Sequence, residues 1–285
     1  MMSDSDDALT GVPLIESVSD AESSTPGTPA GLKRKRENDD APVESKRAAK
    51  RRKNPKKPKD VQDDSLDVEK GVNLALAHMD SRLMADHMAQ RTKRFRPDVS
   101  LVEAEDLMIP ERAILDTTAF TTTRTTDQLP PYLEKFAGWR RSKKGQKLVN
   151  APEPNGAPHT IVVAGAGLRA ADLTRQLRKY QTKESMVAKL FAKHIKLSEA
   201  VAATRGSRMG IGIGTPQRII DLLDEGALKS DYVERILIDA SHIDQKKRGL
   251  LDMKETQVPL VDLLTRPEFR ERYGVNDAKV ELLFF

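Results

Sequence analysis

A chain of 285 residues with 38% hydrophobic and 32% charged side chains has room for one sizeable folded body, but it is too polar to pack uniformly along its length. No apolar run approaches the roughly 18 to 20 residues that cross a bilayer, and the start "MMSDSDDALTGVPL" lacks the basic residues and apolar core of a secretory signal, so no membrane partner is expected. The absence of cysteine excludes disulfide frameworks and thiolate metal sites and fits a reducing compartment, cytosol or nucleus.

The net charge of +5 is unevenly spread. Residues 1–30 carry six acidic and no basic side chains, residues 31–60 carry thirteen Lys/Arg against five Asp/Glu, and the rest is nearly balanced. Residues 1–62 therefore read as a disordered, acidic-then-basic tail, with no aromatic residue and too few branched aliphatics to offset the entropy of ordering. Two basic clusters lie inside it: Lys33, Arg34, Lys35 and Arg36, and then Lys46, Arg47, Lys50, Arg51, Arg52 and Lys53. Such clusters read as nuclear localisation signals, with nuclear import receptors as the implied partners, or as arms that bind phosphates in a salt-sensitive way.

Residues 63–100 read as an amphipathic helix and a linker. Val72, Leu76, Met79 and Leu83 recur at helical spacing, which predicts one apolar face over about 65–93 packing on the body. The basic cluster Arg91, Lys93, Arg94 and Arg96 followed by Pro97 marks its stop. From 101 to 285 short apolar runs alternate with helical patterns: "TIVVA", "MVAKLFA", "MGIGIG", "RILIDA" and "VELLFF" separated by stretches such as "LRAADLTRQLRKY" and "PQRIIDLLDEGAL". Continuous β-branched runs separated by helices predict an α/β body, a parallel sheet with helices on both faces.

Several positions in this body carry chemistry. Thr215 suits an N-cap and Pro216 the first helical position, and the free amides of such a helix start hold anions, so a phosphate is expected there beside Arg218. Gly210, Gly212 and Gly214 alternate along the preceding strand and allow a neighbouring backbone to come close. Lys193, His194 and Lys196 follow another strand and form a basic loop at the sheet's carboxyl edge; the histidines have no ligand spacing, so no metal is expected. Trp139 among Arg140, Arg141, Lys143 and Lys144 offers stacking with charge, or else an ordinary core side chain. Gly165-Ala166-Gly167-Leu168-Arg169-Ala170 fits a dinucleotide-binding turn between strand and helix, but the acid that would bind the ribose is not clearly present, and no cofactor is expected.

The run from Gly212 to Met253 resembles the middle of the first RecA-like domain of DEAD-box RNA helicases. Thr215-Pro216-Gln217-Arg218 stands for Thr-Pro-Gly-Arg, and Asp239-Ala240-Ser241-His242 for Asp-Glu-Ala-Asp. The resemblance adds Arg169 as a further RNA-backbone contact, at the family's Pro-Thr-Arg-Glu-Leu-Ala element. The departures decide the chemistry. No Gly-Lys dipeptide of a phosphate-gripping loop occurs. Ala240 replaces the carboxylate that orients water, and the second RecA-like domain and the Ser-Ala-Thr element are missing from this sequence. Hydrolysis is not expected. Asp239 is expected to close its strand, satisfied by nearby backbone.

The tail together with "ADHMAQRTKRF", "EDLMIPERAILDTTAF", "AKLFAKHIKLSEAV" and "GIGTPQRI" resembles the Cms1-type proteins, subunits of the U3-containing 90S pre-ribosome. That resemblance implies a nuclear, nucleolar, non-enzymatic ribosome biogenesis factor whose partners are pre-rRNA or the U3 ribonucleoprotein and small-subunit assembly proteins. Thr215, Arg218, Lys193, Lys196 and Arg169 are its expected RNA contacts. The alternative is a nuclear scaffold that touches protein alone.

Overall fold

The structure is a computed structural model, and it describes residues 65–137, 148–191, 195–275 and 279–285. A two-stranded antiparallel pair, β1 (Leu66–Asp67) and β2 (Val72–Asn73), turns at Gly71, whose φ of +64° suits glycine. A 3-10 turn (Leu74–His78) leads to helix α1 (Ser81–Phe95). The Asp80 carboxylate accepts from the Leu83 amide at 2.8 Å and fixes the start of α1. The helix expected over about 65–93 is therefore shorter and differently faced. Val72 lies in a strand, Leu76 in the 3-10 turn, and Leu83 is exposed, whereas Met84, Met88 and Thr92, four residues apart, point inward. Spacing alone could not detect the turn at Gly71, which puts Val72 in a strand, or the Asp80 cap, which interrupts the apparent period. The helix stops at Phe95, as Pro97 requires of the residues before it.

A capped short helix α2 (Leu101–Asp106) and then α3 (Leu129–Ala137) precede the sheet. Five strands follow: β3 (Thr160–Val163), β4 (Met186–Leu190), β5 (Met209–Gly214), β6 (Arg235–Ile238) and β7 (Glu281–Phe284). Between them run α4 (Gly167–Leu177), α5 (Leu197–Arg205), α6 (Pro216–Asp224), α7 (Lys254–Leu264) and α8 (Pro267–Arg270). The strands pair in parallel in the order β4-β5-β3-β6-β7. This is the expected parallel α/β sheet.

Alternate side chains feed two cores. Ile161, Val163, Ile236 and Ile238 pack with α1, α6 and α7 on one face; Val162, Ile213 and Leu237 pack with α3 and α4 on the other. Gly212 and Gly214 of β5 face the first core, where backbone does come close: a Cβ on Gly214 would lie 2.8 Å from the Leu190 carbonyl oxygen. Among the described residues, no helix is long and apolar enough to cross a membrane.

Candidate functional site: the carboxyl edge of the sheet

Because every strand of the sheet runs the same way, every βα turn opens on one edge. The chain leaves β3 towards β4 on one side and leaves β6 towards β7 on the other, so the connections diverge between β3 and β6. Such a switch point is where open α/β sheets leave a ligand crevice.

Here the crevice is bridged by the chain itself. Arg169, in the first turn of α4 after β3, meets Asp239 at the end of β6 through two hydrogen bonds, Nε to Oδ2 and Nη2 to Oδ1, each 2.8 Å. The two side chains are 9% and 1% exposed. Thr126 closes the pair from above, its hydroxyl accepting from Arg169 Nη1. Two expectations change. The Asp239 carboxylate is satisfied by a guanidinium rather than by nearby backbone, and the Arg169 fork is spent on that buried carboxylate instead of facing a phosphate. Its neighbour His242 is held below the usual imidazole range, first by burial and then by the Arg169 charge.

A second buried cation lies beside the first. Arg124 is 1% exposed. Its Nη1 donates to the Phe284 carbonyl at 2.6 Å, and its Nη2 donates to the Thr117 hydroxyl at 3.0 Å and to the carbonyls of Thr117 and Ala77 at 3.3 Å. The Tyr132 hydroxyl donates to the same Phe284 carbonyl at 2.7 Å, and burial pushes that phenol up to about 12. The Phe285 main-chain oxygen accepts from Ala240 and Ser241 at 2.8 and 2.7 Å, and the Asn73 amide donates to Ser241 at 2.7 Å. Strand ends that would face a ligand in an open sheet therefore face protein. Sequence reasoning missed Arg124; the available signal was a lone cation inside the run "TTTRTTDQ".

Three of the five expected phosphate contacts, Thr215, Arg218 and Lys196, lie near the ends of β4 and β5. Thr215 holds the N-cap position of α6 with extended backbone, though its hydroxyl makes no capping bond, and Pro216 occupies the first turn as expected. Arg218 is half-buried and reaches the Ile195 carbonyl with Nη2 at 3.4 Å, which sets it against the turn that carries exposed Lys196. Thr215, Arg218 and Lys196 thus form one neighbourhood, and Arg169 belongs to another. Lys193, His194, the Trp139 cluster and both tail clusters lie outside the described residues. The glycine turn of the dinucleotide-like motif does sit between strand and helix, with α4 beginning at Gly167, but Arg169 is turned into the ion pair. Among the described residues, no group of three or more His, Asp or Glu converges as metal ligands would.

The model of one family, described as "CMS1: U3-containing 90S pre-ribosomal complex subunit", matches residues 28–285. The chain belongs to that family. It is 51% identical to Protein CMS1 of Chaetomium thermophilum over 253 residues, covering 89% of this chain and 96% of the relative. Protein cms1 of Schizosaccharomyces pombe is 30% identical over 197 residues, 69% and 68% of the two chains. Human Protein CMSS1 is 26% identical over 183 residues, 64% and 59%. Among solved structures, a DEAD box protein from the hyperthermophile Methanococcus jannaschii aligns with a TM-score of 0.30 and 16% identity, over 46% of this chain and 32% of that one. In this CMS1-family chain, Asp239-Ala240-Ser241-His242 is thus an internal joint. Asp239 holds α4, the main chain of Ala240 and Ser241 holds Phe285, and Ser241 also accepts from Asn73.

Proposed function

We propose that this CMS1-family chain works without catalysis, as a factor that binds RNA or ribonucleoprotein in early small-subunit assembly. The family's description as a 90S pre-ribosomal subunit supports the setting. The observation that carries the non-catalytic reading is the bridged switch point: the bidentate Arg169–Asp239 pair occupies the crevice where a nucleotide phosphate would enter. Ala240 offers no group to orient water, and its amide is committed to the Phe285 oxygen. In this reading the body (101–285) reads RNA through Thr215, Arg218 and Lys196 at the ends of β4 and β5, together with Lys193. The tail (1–62) supplies nuclear import and sequence-independent affinity for phosphates. The partners are then pre-rRNA or the U3 ribonucleoprotein, and the place is the nucleolus.

The test is in-cell crosslinking of the tagged chain, with sequencing of the attached RNA, for the full chain and for residues 62–285. Focused crosslinks on pre-rRNA or U3 RNA that survive removal of the tail are expected. If they vanish with the tail, the body docks on protein and the RNA-reading assignment fails.

A further inference from the structure

The two edges of the sheet are treated differently. Beyond β7, Ile114 forms a parallel bridge with Leu282, and the Leu115 amide donates to the Leu282 carbonyl at 2.9 Å, so that edge is covered. Beyond β4, at the other edge, no strand or bridge lies among the described residues. The Met186 amide donates to Arg208 at 3.1 Å, towards β5. Main-chain groups alternate along a strand, so those of Val187 and Lys189 point away from the sheet.

A groove of about 700 Å³ runs along this open side, walled by Thr174 and Arg178 near one face of the sheet and by Ala203 and Thr204 of α5 near the other. Met186 and Ile195 are exposed along it, at 42% and 46%. The charged residues described along it, Arg178 and Lys189, are both cations.

We infer that this groove receives an extended segment of a partner protein, apolar at alternate positions and carrying Asp or Glu, which adds to β4 as a further strand. Main-chain groups of β4 with no strand partner among the described residues supply affinity for any extended backbone, and the side-chain pockets supply selection. The five residues of β4 match a partner stretch of about 16 Å at roughly 3.3 Å per residue. A second copy of this chain is a poor occupant, since pairing β4 with β4 would bring Lys189 and Arg178 towards their own counterparts. The inference stands apart from the RNA reading, which rests on the ends of β4 and β5 and not on the open side of β4.

The test places the photo-crosslinker p-benzoylphenylalanine at Met186 of the full chain in cells, with the crosslinked peptide sequenced by mass spectrometry. Expected is one protein segment, apolar in alternation and acidic, whose crosslink is kept in Lys189→Thr and lost in Lys189→Pro. Proline removes the outward amide while threonine keeps it. If Lys189→Pro fails to fold, as judged by circular dichroism, Arg178→Glu replaces it, with at least a tenfold loss of crosslink expected. A crosslink to RNA, to a second copy of this chain or to nothing overturns the inference, as does one unchanged in Lys189→Pro or, where that variant does not fold, in Arg178→Glu.

Discussion

Arg169→Ala leaves the carboxylate of Asp239, which is 1% exposed, without the fork that satisfies it. Breaking a buried pair from one side costs about 3 to 5 kcal/mol, because the remaining charge cannot reach water. Each kcal/mol moves the midpoint of a domain of this size by roughly 2 to 4 °C, so thermal melting should fall by about 6 to 20 °C. That is a large part of an ordinary stability of about 5 to 15 kcal/mol. The double variant Arg169→Met with Asp239→Leu removes both charges and fills the space, and should recover most of the loss. Urea unfolding followed by circular dichroism on both variants gives the comparison. The reasoning is refuted if Arg169→Ala melts within about 2 °C of the parent while RNA affinity drops, for then Arg169 faces RNA as the sequence suggested.

Replacing Arg218 and Lys196 by Ala should weaken RNA binding by residues 62–285 and flatten its dependence on log salt by about 1 to 2 units, at ~0.9 per phosphate contact on a duplex; an unchanged slope in electrophoretic titrations removes the proposed surface. His159 is held down to about 3 from 6.5, first by burial and then by the Arg235 charge. Its folded value lies below its unfolded one, so its contribution to stability is present above pH 6.5 and is lost as pH falls towards 3. His159→Asn should flatten the decline in urea midpoint between pH 6.5 and 4; an identical pH profile would show that the imidazole takes a proton in the folded state. Gly214→Ala would press a methyl 2.8 Å from the Leu190 carbonyl and 2.9 Å from Ile219 Cγ1. Because one neighbour is backbone, a loss of about 1 to 3 kcal/mol is expected in urea unfolding.

Where residues answer to local rules, the sequence alone determined the structure closely. "MGIGIG" is strand β5 to the residue, Thr215-Pro216 begins α6, and the five apolar runs are the five strands of one parallel sheet, because β-branched continuity and helix-start chemistry act over a few residues. The α1 region was misjudged for the same reason: helical spacings of four, three and four run on paper from Val72 to Leu83, although Val72 lies in a strand and the Asp80 cap starts the helix only at Ser81.

Only the tertiary structure decided what the site residues do. Arg169 and Asp239 are seventy residues apart, and Arg124 is 160 residues from the Phe284 carbonyl it holds. Nothing in the composition of "GLRAA" separates an arginine that faces a phosphate from one that faces a carboxylate. The strand order brings the ends of β3 and β6 side by side, and the low polarisability of that buried edge then makes the charged partner obligatory.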